Sequence, residues 1–225
     1  MAQGLSHPHS LAFAEYYVGF HRLARGEIHA AQETAEALIA LSTEHGLTDY
    51  LAWATILRGS IMAAQGRNEE GIALMQEGLD ASRAAGAEAG RPYYLCELAE
   101  AFMETGRLGD GLRTLTEALV AAEEHEERVS EAEIYRLRGE LLLRQEHSNA
   151  AEAQSCLQRA VEIAQNRSAK PLELRATMSL ARLLAKQSRR GEARAMLAEI
   201  YNWFTEGFDT ADLKNAKTLL DELNE

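Results

Sequence analysis

Apolar and small residues recur along this chain at helical spacing. Three segments share a pattern in which a small residue is followed four, seven and eight positions on by apolar or small side chains. They are Gly71, Met75, Gly78 and Leu79; Gly111, Leu115, Ala118 and Leu119; and Ala153, Leu157, Ala160 and Val161. That spacing lays a single stripe along one face of a helix, whereas a half-buried strand would alternate. The stripes belong to a longer period. Small residues stand at Gly19, Gly59, Ala99, Gly139 and Ala181, in steps of 40, 40, 40 and 42. A second series runs Ala31, Gly71, Gly111, Ala153 and Ala193, in steps of 40, 40, 42 and 40. The offset between the series is 12, except for 14 in the fourth pair. Small residues at a fixed offset let two antiparallel helix backbones approach closely, as a repeating helical hairpin requires.

Turn residues keep the same period. Gly26, Gly66 and Gly106 each fall five residues before the second series, where a helix must stop and reverse. The fourth hairpin replaces this glycine by Gln145-Glu146-His147-Ser148-Asn149, which absorbs the two extra residues. Asn68 ahead of Glu69 and Glu70 reads as a helix start, and Ser130 with Glu133 three residues on reads as a capping box. The pattern predicts helices near 9–25, 28–44, 49–65, 68–85, 91–105, 108–126, 131–145, 150–166, 171–187, 190–205 and 210–223. These group into hairpins at about 9–44, 49–85, 91–126, 131–166 and 171–205, with a cap at 210–223. The expectation is an all-α, right-handed solenoid forming a single domain over 9–225, with residues 1–8 frayed. The last helix would cover an apolar face that has no sixth hairpin.

Composition narrows the function classes. The 225-residue chain is 46% hydrophobic and 26% charged, with 3 Pro, which suits packed helices and not disorder. A net charge of -12 argues against nucleic-acid backbones and anionic membrane surfaces, both of which select for clustered Lys and Arg. Cys96 and Cys156 form no CxxC pair and read as packing thiols of a reducing compartment. The first residues lack a basic segment followed by an apolar one, and no window approaches 18 uninterrupted apolar residues. A cytoplasmic chain with neither export signal nor membrane span is therefore expected.

The 12-residue offset between two small positions, one on each helix, resembles the core of the tetratricopeptide repeat (TPR), whose usual unit is 34 residues. This chain differs in its longer helices and in lacking the Pro that often closes each unit. Those departures resemble the extended TPR-like arrays of large bacterial signalling proteins. Three segments look like the C-terminal helical region of bacterial adenylate or guanylate cyclase–ATPase fusion proteins: Arg91-Pro92-Tyr93-Tyr94-Leu95, Glu133-Ile134-Tyr135-Arg136-Leu137-Arg138-Gly139-Glu140-Leu141, and Tyr201-Asn202-Trp203-Phe204-Thr205-Glu206-Gly207-Phe208-Asp209-Thr210. The resemblance implies a regulatory or partner-sensing arm. It carries no catalysis across.

Candidate chemistry is sparse. No Gly-x-x-x-x-Gly-Lys-Ser/Thr phosphate loop and no Gly-x-Ser-x-Gly nucleophile motif occurs. The glycines of GRLGDG, at 106, 109 and 111, fall on an inter-helix turn with no strand ahead of them. His7 and His9 lack convergent partners for a metal, and Glu123, Glu124, Glu126 and Glu127 around His125 read as a solvated helix end. No catalytic residue, metal or cofactor is assigned.

If the TPR resemblance holds, the first helix of each hairpin lines the concave face. Residues six and three before the small position, and one and five after it, would then point inward. One row is Phe13, Trp53, Tyr93, Glu133 and Arg175; the next is Tyr16, Ile56, Cys96, Arg136 and Met178; the third is Phe20, Ser60, Glu100, Glu140 and Arg182. The candidate groove is thus aromatic at Phe13, Tyr16, Phe20, Trp53 and Tyr93, and basic at Arg136, Arg144, Arg175, Arg182 and Lys186. Aromatics supply contact area and Arg forked donors for carboxylates. The bland alternative buries the aromatics between hairpins and pairs each Arg with Glu. The expected function is a non-catalytic protein- or peptide-binding module for a partner with apolar and acidic segments. A homo-oligomerisation element and a small-ligand receptor stand as alternatives, and the groove hypothesis predicts that reversing Arg175 and Arg182 to Glu weakens partner capture without melting the array.

Overall fold

The structure is a computed structural model, and it describes residues 7–145 and 149–224. Among these every regular element is helical: α1 (Pro8–Ala24), α2 (Ile28–Glu44), α3 (Thr48–Ala64), α4 (Asn68–Ala84), α5 (Arg91–Glu104), α6 (Leu108–Glu124), α7 (Glu131–Gln145), α8 (Ala150–Asn166), α9 (Lys170–Lys186), α10 (Arg190–Tyr201) and α11 (Ala211–Glu222), with one 3-10 turn at Arg128–Ser130. The chain divides into two compact units, Met1–Thr114 and Leu115–Glu225, with the division inside α6.

In the first unit α1 packs on α2, α2 on α3, α3 on α4 and α4 on α5, while α3 also touches α1 and α5 directly. First helices of successive hairpins therefore lie side by side. The second unit repeats the scheme, with α7 against α9 and α9 against α11, so that α11 takes the place of a further first helix. Its core gathers Leu174, Leu180 and Leu184 of α9, Leu197 and Ile200 of α10, and Leu213, Leu219 and Leu223 at the C-terminal end.

The small residues stand at the closest helix approaches. A Cβ built on Gly59 would lie 2.7 Å from the Gly71 carbonyl oxygen and 2.8 Å from the Met75 backbone nitrogen. At Gly139 the obstacle is mainly a side chain, Leu157, at 2.7 Å. Turns follow a finer beat than the hairpin period. Backbone with positive φ recurs at Gly26, Gly46, Gly66, Gly86 and Gly106, then at Glu126, Ser168 and Ser188, where a non-glycine residue takes the same left-handed conformation.

Local differences from the expected pattern have clear causes. Asn68 is not a cap: Arg67 holds that position and its guanidinium grips Glu70 at 2.9 Å. Ser130 ends the 3-10 turn ahead of α7, and both Glu133 oxygens receive the Arg136 guanidinium. Helix α10 ends at Tyr201 and not near 205, because the following loop folds back through Gly207 and seats Phe208 against Tyr201, ring centroids 5.9 Å apart. At the other end Pro8 already lies inside α1, and the His7 ring nitrogen accepts the Ser10 N–H at 3.4 Å. The remainder of the expected frayed segment, 1–6, and residues 146–148 of the fourth turn lie outside the described residues. No described helix is long and apolar enough to cross a membrane.

Candidate functional site

The side-by-side packing of α1, α3 and α5 draws together rings that are far apart in the chain. Tyr16 stands 5.5 Å from Trp53 and 6.4 Å from Phe20, and Phe20 stands 5.2 Å from Tyr93. Phe13 joins through Tyr17, at 4.7 Å from it, and Tyr17 lies 5.2 Å from Tyr16. All five sequence-selected aromatics thus belong to one connected cluster, although not on equal terms. Tyr16 is buried at its centre, Phe20, Trp53 and Tyr93 are half-buried, and Phe13 is exposed.

The polar tips are tied down. The Tyr16 and Tyr94 hydroxyls share a hydrogen bond of 2.5 Å, Tyr93 donates to Glu97 at 2.8 Å, and the Trp53 indole donates to the Ala87 carbonyl at 3.4 Å. Burial pushes the Tyr16 phenol up to about 12, against the lowering effect of its bond to Tyr94. Burial also raises Tyr93, helped by the adjacent Glu97 charge, and raises Tyr94, helped by Tyr16. Tyr17, Tyr50 and Tyr94 were outside the selected rows. Tyr50, nine residues before Gly59, packs edge-on against Trp53 at 5.3 Å and meets His9 at 5.7 Å.

The same helices, together with α4, border a cavity of about 260 Å³. Leu23, Ala63, Met75 and Ala101 give it an apolar floor, and Glu97, Glu100 and Glu104 contribute carboxylates.

In the second unit α7, α9 and α11 bring charge together. Arg136, with 10% of its side chain exposed, is held by Glu133 at 2.6 and 2.9 Å and by Glu140 at 2.8 Å. Glu140 in turn accepts the Ser179 hydroxyl at 2.5 Å, bridging α7 to α9. Arg175 reaches the other way and binds Asp212 of α11 at 2.7 Å. Burial works against the Glu133 carboxylate, but the charge and hydrogen bonds of Arg136, with Arg175 nearby, hold its pKa below the ordinary value. Burial likewise opposes the Arg175 cation, and Asp212 with Glu133 outweighs it.

The sequence-selected basic residues therefore separate. Arg136 is buried and committed to Glu133 and Glu140, and Arg175 is partly exposed but braced on Asp212. Arg182, Lys186 and Arg144 stand exposed along α9 and at the end of α7. Asp212 and Ser179 escaped the sequence rows. The rows ended at α9, and a serine between apolar neighbours gave no signal. Both cysteines are free and buried.

No family model matches the sequence, and neither does any curated protein. Solved structures do match. The chain is similar to yeast Tom70 at 16% identity, covering 95% of this chain and 40% of that one, with a TM-score of 0.64. Pseudomonas aeruginosa PilF matches at 12% identity over 96% of this chain and 90% of that one, TM-score 0.63. A Podosopora anserina candidate kinesin light chain built of nearly identical TPR-like repeats matches at 18% identity over 87% of this chain and 95% of that one, TM-score 0.61. At these identities the likeness is one of fold: the chain has the helical-hairpin architecture of TPR-like proteins.

Proposed function

We propose that this chain is a non-catalytic protein- or peptide-binding module, acting as a regulatory or scaffold arm in bacterial signal transduction in the cytoplasm. One observation carries the reading. Packing of first helix against first helix turns rings scattered through the sequence into one shared aromatic face in the first unit, and in the second unit α9 carries exposed cations beside an ion-pair network. On the first, Phe20, Trp53 and Tyr93 keep part of each ring open to solvent, and the polar tips of Trp53 and Tyr93 are already bonded, as contact anchors require. On the second, Arg182 and Lys186 offer exposed cations beside an internally neutralised network. The fitting partner is a segment with apolar residues and carboxylates, and the resemblance to cyclase–ATPase fusion proteins supplies the signalling context.

The test must spare Arg175, whose reversal would set a new carboxylate against Asp212 and loosen α11. Arg182→Glu/Lys186→Glu leaves that contact intact. Fluorescence anisotropy with a labelled peptide of alternating Leu and Glu should show binding to the native protein, loss in this double variant, and no binding of the Leu–Lys counterpart. Equal binding of the two peptides, or none of either, would remove the cationic face from the proposal. Trp53→Ala checks the aromatic face by the same readout.

A further inference from the structure

Three cations share one stripe of α9, and one of them is already taken. At about 100° and 1.5 Å per residue, Arg175, Arg182 and Lys186 fall within an arc of roughly 40° along about 16 Å of helix. Arg182 and Lys186 are exposed. Arg175 keeps 45% of its side chain open to solvent, yet its Nε donates to the Asp212 carboxylate at 2.7 Å. Two carboxylates act on Arg175, and they differ in standing. Glu133 acts through its charge, but both its oxygens already receive the Arg136 guanidinium. Asp212 holds the hydrogen bond, is 30% exposed, and sits in the first turn of α11, where the helix N-terminus favours a negative charge.

Asp212 is not what fastens α11. Leu213, Ala216, Leu219 and Leu223 are buried in the core of the second unit, the Arg190 guanidinium donates to the Glu222 carbonyl, and the Arg194 guanidinium donates to the Asn224 side chain. An ion pair this open to solvent adds little to stability. Its effect falls on the stripe, one end of which it neutralises. The contact is also the one that a partner's Asp or Glu would make on Arg182 or Lys186.

We propose that Asp212 is an internal competitor for the partner's carboxylates, occupying Arg175 as a partner side chain would. The inference rests on the reading of α9 as a partner-binding face. A carboxylate that meets Arg182 or Lys186 forms a new pair, whereas one that reaches Arg175 must exchange one pair for another. Asp212 thereby holds the affinity of the stripe below what its three cations could give, and selects partners by how many acidic residues they bring.

Fluorescence anisotropy with the labelled Leu–Glu peptide tests this. Asp212→Asn should bind about fivefold tighter than the native protein, which is the scale of one exposed charge pair. Asp212→Asn/Arg175→Gln has the native net charge but lacks the released cation, and should return to native affinity. Glu199→Gln removes an exposed carboxylate from α10 and should leave the affinity unchanged. Hydrogen exchange of the α11 amides should be the same in Asp212→Asn as in the native protein; faster exchange would make Asp212 a fastener and overturn the proposal. So would unchanged or weaker binding by Asp212→Asn, a gain that survives the loss of Arg175, or a gain that Glu199→Gln reproduces. In those cases loss of binding in Arg182→Glu/Lys186→Glu would still uphold the face itself, whereas no binding by any form, Asp212→Asn included, would remove both.

Discussion

The two units solve one packing problem with different chemistry. In the first, α1, α3 and α5 meet through rings, with Tyr16 at the centre and its hydroxyl bonded to Tyr94. In the second, α7, α9 and α11 meet through ions, Arg136 between Glu133 and Glu140 and Arg175 on Asp212. The turns differ too: glycine takes the left-handed position from Gly26 to Gly106, whereas Glu126, Ser168 and Ser188 take it afterwards, until Gly207 in the loop ahead of α11. The repeat therefore fixes the spacing of small contacts and turns, and leaves the side chains between first helices free to become either aromatic or ionic.

The ionic half should be the easier to break. Arg136→Met leaves Glu133 and Glu140, with 17% and 24% of their side chains exposed, without their shared cation, and should cost about 3 kcal/mol by urea denaturation. A loss below about 1 kcal/mol would mean that solvent already compensates these carboxylates. The glycine contacts separate next. Gly59→Ala pushes against backbone atoms that cannot yield and should cost roughly 3 kcal/mol, whereas Gly139→Ala pushes mainly against the buried Leu157 side chain, with the Ala153 carbonyl oxygen 3.1 Å away, and should cost nearer ~2 kcal/mol. Equal losses would remove the distinction.

In the aromatic half, Tyr94→Phe strands the buried Tyr16 hydroxyl and should cost about 1–2 kcal/mol. Adding Tyr16→Phe should recover part of that loss, and simple additivity in the double-mutant cycle would contradict the hydroxyl pair. The smallest effects belong to the turns. Ser168→Gly and Ser188→Gly should each stabilise by about 0.5–1 kcal/mol, and Gly26→Ala or Gly66→Ala should destabilise by about 1 kcal/mol, since their surroundings leave space and only φ opposes the new side chain.

Titration should separate the units by sign. Glu133 has a folded pKa below its ordinary value, so its contribution is present above the ordinary carboxylate range and is lost as pH falls below about 4. Tyr16 is raised from 10.0 to about 12, so its contribution is complete below pH 10 and is lost as pH climbs through that interval. Acid should loosen the second unit first and alkali the first, as followed by hydrogen exchange of α7–α9 against α1–α5. Simultaneous loss at both extremes would show that these groups do not govern the difference.

The helices were legible because the small residues that permit close approach cannot move without spoiling the contact. Gly59 and Gly139 could be picked out for that reason alone. Phe13, Tyr16, Phe20, Trp53 and Tyr93 were legible only through the TPR resemblance, which says which offsets from each small residue line the first helices. What stayed hidden was pairing. Tyr16 and Tyr94 are 78 positions apart, and Arg175 finds Asp212 on a helix that begins after an irregular loop. The end of α10 was equally opaque, because Asn202, Trp203 and Phe204 suit a helix and are turned out of it by the seat of Phe208 on Tyr201. Hydrogen-bond partners are chosen by tertiary geometry, which leaves no periodic trace.

Left-handed residues recur at 26, 46, 66, 86, 106 and 126, a spacing of 20 that each helix and its turn fill, with Gly90 an additional one ahead of the shorter α5. Such a chain can grow by tandem duplication. A copied stretch cut at two left-handed residues 40 positions apart rejoins with turn and helix length preserved, and the new hairpin meets its neighbours through the same small residues. Only the aromatic or ionic side chains between first helices would then need to diverge, which leaves their chemistry open to change while the scaffold is inherited whole.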